Sequence, residues 1–323
     1  MSFPGVALPL SPHEGGRQAT RDSLQAWIAS EAFVAVLDAF GAPDLPADLG
    51  AQLATLDDFS AEHWDFRGGK ERNEARRAEL EPDVEELVLS AAEALGLRGQ
   101  STPRFDEYDH ILILGGLVRA CILRPRLARK LVDDGLRVGE ITGLGAFREL
   151  RGDELELVKV ARIPSATNEV EAMTSGMVSA FGLGEPDSVE GDESESNLYR
   201  RWLVTKFSGL PPLTIVAAPT RDDARRANTP DTYEYWAQNI ARLDQNPGSR
   251  ILLVTSAIYI PFQHAGAVRM LALPHRAIVD TVGVNPFDTT DQEFRQTFTA
   301  GQYLQEFRST ITAYRALLAD LHG

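Results

Sequence analysis

Residues 109–116 have the sequence Asp109-His110-Ile111-Leu112-Ile113-Leu114-Gly115-Gly116, an apolar run that ends in two glycines. A short run of this kind suits a strand that is buried on both faces of a sheet. A helical pattern follows from residue 117 to residue 134. Strand, glycine turn and helix in this order are typical of the start of a parallel α/β sheet. We therefore expect the sheet to begin at this run.

The same alternation continues to the end of the chain. Further strands are predicted at residues 137–142, 198–207, 213–218, 250–256 and 276–284, and helices at 168–181, 230–243, 261–273 and 292–321. The six acidic residues between positions 185 and 195 predict a solvated loop. Strands that alternate with helices imply a Rossmann-like α/β fold, with a mainly parallel sheet and helices on both faces.

A helical region precedes the sheet. Leu24, Trp27, Ile28 and Phe33 recur at helical spacing, and proline and glycine separate the segments. We predict a helical N-terminal region at residues 1–100 and a Rossmann-like α/β domain with a closing C-terminal helix at residues 101–323. Residues 1–18 are predicted to form a poorly ordered arm.

The bulk composition limits the classes of partner. The 323-residue chain has a formal net charge of −15, which argues against a nucleic-acid partner and against docking on an anionic membrane. A nucleotide is still compatible with this charge, because backbone amides at a helix N-terminus can hold a phosphate. We therefore expect a small-molecule ligand, while the oligomeric state stays open.

Targeting signals and cysteine usage point to the cytoplasm. The N-terminus lacks the basic and apolar regions of a signal peptide, and no run approaches the ~20 apolar residues of a membrane span. Cys121 is the only cysteine and lies in an apolar run, so a buried structural thiol is expected. A soluble, cytoplasmic protein is the prediction.

Several candidate site residues follow the predicted strands. Gly115 and Gly116 would let a ligand approach the backbone and expose amides at the next helix, or they simply form a tight turn. Glu169 and Glu171 begin a helix, where carboxylates act either as a general base or as solvated capping groups.

Two later segments add hydrogen-bonding groups. Asn228 and Thr229 precede Pro230 as a helix cap beside two arginines, which would explain either the cap alone or an anion site. Thr255, Ser256 and Tyr259 come at the end of a strand, where ligands bind in α/β folds. The alternative for them is turn chemistry and a core role for Tyr259.

Together these segments resemble the SanA/YdcF/ElyC-like domain family. The resemblance rests on Leu114-Gly115-Gly116, Glu169-Val170-Glu171-Ala172-Met173, Asn228-Thr229-Pro230-Asp231-Thr232 and Val254-Thr255-Ser256-Ala257-Ile258-Tyr259. It implies a Rossmann-like fold and small-molecule binding, with S-adenosylmethionine in one branch and lipid-carrier or cell-wall roles in others.

The chain departs from that family's pattern at three positions. Tyr259 stands where the family has His, Phe262 where it has Arg, and Thr232 where it has Asn. His264 and Arg269 lie close enough in the sequence to compensate. We therefore count His264 among the catalytic candidates and Arg269 among the ligand-binding ones.

A separate segment is a candidate lid. His63, Arg67 and Lys70 lie in a dense mixture of charged and aromatic residues, which is also explained by a plain helix–helix connection. The six histidines show no metal-ligand spacing, so no metal ligands are predicted.

The leading hypothesis is an enzyme that binds a nucleotide-like or phosphorylated ligand, with Glu169, Glu171 and His264 as catalytic candidates. Transfer or hydrolysis is favoured over redox chemistry, because the dinucleotide fingerprint is absent. The cofactor stays open between S-adenosylmethionine and a nucleotide, and so does a need for Mg²⁺. The alternatives are a non-catalytic ligand-binding or regulatory module that lost the family's His and Arg, and a scaffold that self-associates.

Overall fold

A single sheet of seven strands organises the chain. The computed structural model describes residues 2–66, 78–99, 101–161, 163, 166–192, 195–287 and 289–322. The strands in chain order are β1 (Glu107–Ile113), β2 (Arg137–Gly145), β3 (Ser188–Asp192), β4 (Trp202–Phe207), β5 (Leu213–Ala217), β6 (Arg250–Ser256) and β7 (Ile278–Val284). Across the sheet their order is β3-β4-β5-β2-β1-β6-β7.

Five of the strands are parallel and form a Rossmann-like sheet. β5, β2, β1, β6 and β7 pair in parallel, while β3 and β4 extend one edge in antiparallel fashion. Counted among themselves, the parallel strands lie in the order 3-2-1-4-5, which is the order of dinucleotide-binding folds. The order reverses between β1 and β6, and ligands of such sheets bind beyond the carboxyl ends at that point. The predicted fold class is confirmed.

Helices cover both faces of the sheet. Those after the first strand are α5 (Val118–Asp133), α6 (Asp153–Val160), α7 (Glu169–Phe181), α8 (Thr229–Asn239), α9 (Ile260–Ala267), α10 (Leu273–His275) and α11 (Ala300–His322). Because side chains alternate along a strand, Ile111 and Ile113 join the core under α5 and α7, whereas Leu112 and Leu114 join the core on the other face.

The contact between α5 and α7 is unusually close. A Cβ atom at Gly176 of α7 would lie 1.9 Å from the carbonyl oxygen of Cys121 in α5, so a larger residue does not fit there. The Cys121 thiol in turn lies 3.9 Å from the carbonyl oxygen of Glu169. This packing brings the first turn of α7 against the turn between β1 and α5.

The N-terminal helices pack against the C-terminal helix. They are α1 (Pro12–Ile28), α2 (Glu31–Ala39), α3 (Leu49–His63) and α4 (Pro82–Ala94). Trp27 lies at the centre of their aromatic core, with ring centroids 4.8 Å from Phe33 and 5.2 Å from Tyr314 of α11. Aromatic pairs of this kind add about 0.5–1.5 kcal/mol each beyond the area they bury. The predicted helical N-terminal region is confirmed.

The first residues are more ordered than the sequence predicts. Residues 1–18 were expected to form a loose arm, but α1 begins at Pro12. The Val6 amide donates to the Ala94 carbonyl at 2.8 Å, and the Ser11 hydroxyl accepts from the Val279 amide at 2.9 Å. The arm therefore runs from α4 to β7 as part of the packed structure.

The acidic stretch at residues 185–195 contains a strand rather than only a loop. β3 pairs with β4 at the edge of the sheet, and its last four residues are exposed. With neither face buried, the strand has no alternation of apolar residues from which to predict it. Charged side chains on an edge strand discourage pairing with other chains.

The helix α6 was also not predicted from the sequence.

Among the helices in the described ranges, none combines the length and the apolarity that crossing a membrane requires.

Candidate functional site

A carboxylate from α7 closes the turn after β1. A Cβ atom at Gly115 would lie 2.2 Å from Oε1 of Glu169 and 2.7 Å from the carbonyl oxygen of Leu144. Glycine is required there because this space is already filled. The sequence predicted that Gly115 lets a ligand approach the backbone, whereas the group that approaches it in the structure is the Glu169 carboxylate.

Arg148 links two buried carboxylates beside this turn. Its Nε donates to Glu169 at 2.9 Å, and its two terminal nitrogens donate to the two oxygens of Glu154 at 2.8 and 2.9 Å. A further hydrogen bond of 3.0 Å reaches the carbonyl oxygen of Gly116. Two-pronged pairs between guanidinium and carboxylate are among the strongest in proteins. We call Arg148, Glu154 and Glu169 the Arg148 network.

Backbone pairing holds this network in place. The Glu169 amide donates to the Arg148 carbonyl at 2.9 Å, and the Leu150 amide donates to the Thr167 carbonyl at 2.9 Å. The loop after β2 therefore runs alongside the start of α7. This pairing sets the Arg148 and Glu169 side chains next to each other.

The two carboxylates of the network have opposite pKa shifts. Burial raises the pKa of Glu169 above its usual range, and the positive charges of Arg148, Arg226 and Arg124 only partly offset this. Burial also opposes ionisation of Glu154, but hydrogen bonds and charge from Arg148 outweigh it, so the pKa of Glu154 is lowered. Environments that push the pKa values of neighbouring carboxyl groups apart are typical of acid–base sites.

Arg124 joins the ends of β1 and β6. Its side chain is buried, and it donates to the Leu114 carbonyl at 2.6 Å and to the Gly115 carbonyl. It also donates to the Ser256 hydroxyl at 3.2 Å. A buried charge is tolerated only when it is paired or hydrogen-bonded. Arg124 therefore fixes the two strand ends at which the sheet order reverses.

Two fully buried hydroxyl groups lie on neighbouring elements. Tyr233 of α8 and Thr255 of β6 have no hydrogen-bond partner within the described part of the chain. Burial raises the pKa of Tyr233, and the charge of Arg124 acts in the opposite direction. A buried hydroxyl without a partner costs about 1–3 kcal/mol. Tyr259 is half-buried in the 3₁₀ turn that follows Ser256.

Side chains of the protein itself cap the N-terminus of α8. The Asn228 side chain accepts from the Asp231 amide at 3.1 Å, and the Asp231 carboxylate accepts from the Asn228 amide at 3.0 Å. Arg221 and Arg225 donate to the same buried carboxylate at 3.0 and 2.5 Å. The anion position that we predicted at Asn228 and Thr229 is therefore occupied by Asp231.

Three predicted site residues bond elsewhere. Glu171 accepts from the Thr167 amide at 2.6 Å in a cap of α7. His264 is buried, and its ring nitrogens lie 2.7 Å from the Pro9 carbonyl and 2.9 Å from the Thr281 hydroxyl. Burial lowers the pKa of His264. Arg269 pairs with Asp320 of α11, so His264 and Arg269 hold the N-terminal arm and the C-terminal helix.

The candidate lid is only partly covered by the structure. His63 is exposed at the end of α3, with its ring 4.5 Å from that of Phe59. Arg67 and Lys70 lie outside the described residues.

Four residues of the candidate site were not predicted from the sequence, namely Arg124, Arg148, Glu154 and Tyr233. One signal was available for Arg124, which follows Cys121 by three positions and precedes Ala128 by four, so it lies on the apolar face of its helix. A charged residue on such a face needs a partner. Arg148 and Glu154 lie in a segment without periodicity, so no local pattern identifies them.

The described residues also form a surface pocket away from the Arg148 network. A surface pocket of about 230 Å³ lies at the opposite, amino-terminal edge of the sheet, lined in part by Phe181, Phe207 and Leu210. Within the described ranges, no three His, Cys, Asp or Glu side chains are grouped so that they could bind a metal ion.

Comparison with known proteins places the chain in a family. The family model of the Rv3785 N-terminal domain matches residues 11–96. The chain is 32% identical to the uncharacterized protein Rv3785 of Mycobacterium tuberculosis, over 99% of this chain and 95% of that relative. The chain belongs to the Rv3785 family.

The likeness within the Rv3785 family includes the sheet as well as the N-terminal helices. The uncharacterized protein Mb3814 of Mycobacterium bovis is also 32% identical, again over 99% of this chain and 95% of the relative. No solved structure matches the chain significantly.

Proposed function

We propose that this member of the Rv3785 family is an enzyme that binds a nucleotide-like or phosphorylated small molecule at the carboxyl ends of β1 and β6. The reaction proposed is group transfer or hydrolysis. The observation that carries the proposal is the Arg148 network, in which a buried carboxyl group with a raised pKa lies beside a guanidinium at the turn after β1, one of the two strands between which the sheet order reverses.

The charge of the site favours an anionic ligand. The guanidinium groups of Arg124, Arg148 and Arg226 all act on Glu169, in a chain whose overall charge is −15. Guanidinium groups match the geometry of phosphate oxygens. The same positive charge disfavours S-adenosylmethionine relative to a phosphorylated ligand, because its sulfonium centre is a cation.

Glu169 is the proposed general acid–base group. A buried carboxyl group with a raised pKa can take a proton from an attacking hydroxyl group and return it to a leaving group. Ser256, fixed by Arg124, would orient the ligand. Gly115, Glu169 and Ser256 all belong to the motifs on which the resemblance to the SanA/YdcF/ElyC-like family rests.

A thermal-shift screen of the full chain tests the proposal. The panel contains adenine nucleotides, sugar phosphates, S-adenosylmethionine and its demethylated product, each with and without Mg²⁺. A ligand at 100 times its Kd adds about 2.7 kcal/mol, which corresponds to a rise in Tm of roughly 5–11 °C. We expect the rise with a phosphorylated compound. A screen without any such rise contradicts the proposal.

Turnover of the bound compound then tests the assigned chemistry. We expect Glu169→Gln to reduce turnover by about 10²–10⁴-fold, the usual contribution of a general acid–base group. Glu149→Gln is the matched control, since Glu149 is exposed and pairs with Arg151 at 3.5 Å. Equal turnover by wild type and Glu169→Gln would remove Glu169 from the chemistry.

A non-catalytic binding module is the second candidate. It is favoured by Tyr259 and Phe262 at the positions where the resembling family has His and Arg, because neither His264 nor Arg269 replaces them in the structure. Under this reading the wild type binds the compound without turnover, and Tyr259→His with Phe262→Arg creates activity. Turnover by the wild type would exclude it.

A further inference from the structure

Glu154 places its carboxylate at the N-terminus of a helix to which it does not belong. The Val118 amide at the start of α5 donates to Oε1 of Glu154 at 3.1 Å, and the side chain is buried. The first amides of a helix have no partner within it, and the helix dipole attracts negative charge there. In folds of this class that position after the first strand is where a ligand's phosphate binds.

The same carboxylate has the surroundings that a phosphate group requires. Both oxygens of Glu154 bind the two prongs of Arg148, at 2.8 and 2.9 Å, and one oxygen also accepts from the Arg151 amide at 3.3 Å. Because the pKa of Glu154 is lowered, the group stays anionic at neutral pH. Glu154 thus provides an internal negative charge on the donors that would hold a phosphate.

The helix that carries Glu154 is weakly attached. Of the eight residues of α6, only Glu154 and Val158 are buried, while Leu155 and Val160 are each 46% exposed. A segment with so little buried apolar surface opens at low free-energy cost. Besides the packing of Val158, the attachment of α6 depends on the hydrogen bonds of Glu154, and an incoming anion competes for their donors.

A buried hydroxyl group of α8 has hydrogen-bonding capacity that the described residues do not use. The Tyr233 hydroxyl is fully buried and without a partner among the described residues, and the charge of Arg124 opposes the rise in its pKa that burial causes. Native proteins satisfy most buried hydroxyl groups. A ligand that reaches Arg124 would offer such a partner.

We propose that Glu154 competes with the phosphate of the ligand for the same hydrogen-bond donors, and that α6 moves away when the phosphate binds. This inference rests on the proposed function, since it concerns the same site. The ligand class is a phosphate ester or diphosphate. Its oxygens take over the Val118 amide and the Arg148 guanidinium, and the released Glu154 carboxylate becomes solvated.

Calorimetric titration of inorganic phosphate and pyrophosphate into the full chain tests the competition. Glu154→Gln removes the competing charge and keeps the shape, so we expect it to bind pyrophosphate at least about tenfold more tightly than wild type. The reason is that the phosphate then no longer displaces a carboxylate from Arg148 and the Val118 amide. Glu156→Gln on the same helix is the control, since Glu156 is exposed and pairs with Lys159 at 2.7 Å. We expect its affinity to equal that of wild type.

The outcomes separate this inference from the proposed function. Binding by wild type with equal or weaker binding by Glu154→Gln overturns the competition and leaves the proposed site intact. No binding by either protein overturns both. If Glu154→Gln fails to fold, hydrogen exchange of the wild type decides the question. Saturating pyrophosphate should accelerate exchange in residues 154–161 and slow it in residues 118–121, and slower exchange in α6 would contradict the inference.

Discussion

Replacing Arg148 by Gln tests the energetic weight of the network that defines the site. The change removes the pairs with Glu154 and Glu169 and leaves both carboxylates buried. Removing one partner from a buried ion pair costs about 3–5 kcal/mol. At roughly 2–4 °C per kcal/mol for a large domain, Tm should fall by about 6–20 °C. Differential scanning calorimetry measures this fall.

The loss of stability in Arg148→Gln should also depend on pH. Without the guanidinium, the folded-state pKa of Glu169 rises further above its unfolded value, and the pKa of Glu154 rises because it loses the charge and hydrogen bonds that lower it. A raised folded pKa gives stability that is present below the unfolded pKa and is lost as the pH rises through the folded pKa. The deficit of Arg148→Gln relative to wild type should therefore be largest at alkaline pH and should shrink as the pH falls towards the unfolded carboxyl pKa of about 4.3.

An exposed arginine provides the control for this comparison. Arg137 pairs with Glu107 at 3.0 Å, and both side chains are more than 60% exposed. Such a pair contributes less than about 1 kcal/mol, so Arg137→Gln should lower Tm by no more than a few degrees. If Arg148→Gln behaves like Arg137→Gln, or if its deficit does not change with pH, the network does not hold buried charge as we describe.

Three further predictions concern single positions. Gly115→Ala should lower Tm, because a Cβ atom there meets Glu169 and the Leu144 carbonyl, and such overpacking costs about 1–3 kcal/mol. At the control position, the added Cβ atom of Gly184→Ala meets nothing within 4 Å and should leave Tm unchanged. Equal melting temperatures of the two variants would contradict this prediction. Glu169→Gln should reduce turnover by about 10²–10⁴-fold while it keeps or raises Tm, because burial already favours the neutral form; a large fall in Tm would make Glu169 structural. Cys121 should react with a thiol reagent only on unfolding, since it is buried and burial raises its pKa; fast labelling of the native protein would refute this.

The sequence predicted the sheet well because the decisive strands are buried on both faces. Apolar runs such as 109–116 and 250–256 mark such strands without ambiguity, and the order of strands and helices then fixes the fold class. The edge strand β3 gave no such signal, because it is exposed on both faces.

The candidate site was predicted only where it coincides with strand ends. Gly115, Glu169 and Ser256 follow strands or begin helices, and the structure brings them together through Arg124 and Arg148. The two arginines could be placed only by tertiary packing. Arg148 reaches Glu169 because its loop pairs with the start of α7, a contact across some twenty residues that no local pattern encodes.

Sequence proximity to a motif was misleading for His264. It lies eight residues after Ser256, but its position on α9 directs the ring towards Thr281 of β7 and the Pro9 carbonyl. The direction of a helical side chain depends on its place in the turn and not on its distance along the chain. His264 therefore holds the N-terminal arm.

Hydrogen exchange with mass spectrometry, on wild type with and without a phosphorylated compound identified in the screen, tests the central claim most directly. If the ligand binds where the sheet order reverses, exchange should slow in residues 114–119 and 254–257, at the ends of β1 and β6. Protection around Phe181, Phe207 and Leu210, in the pocket at the opposite edge, or no protection at all, would contradict the assignment of the site.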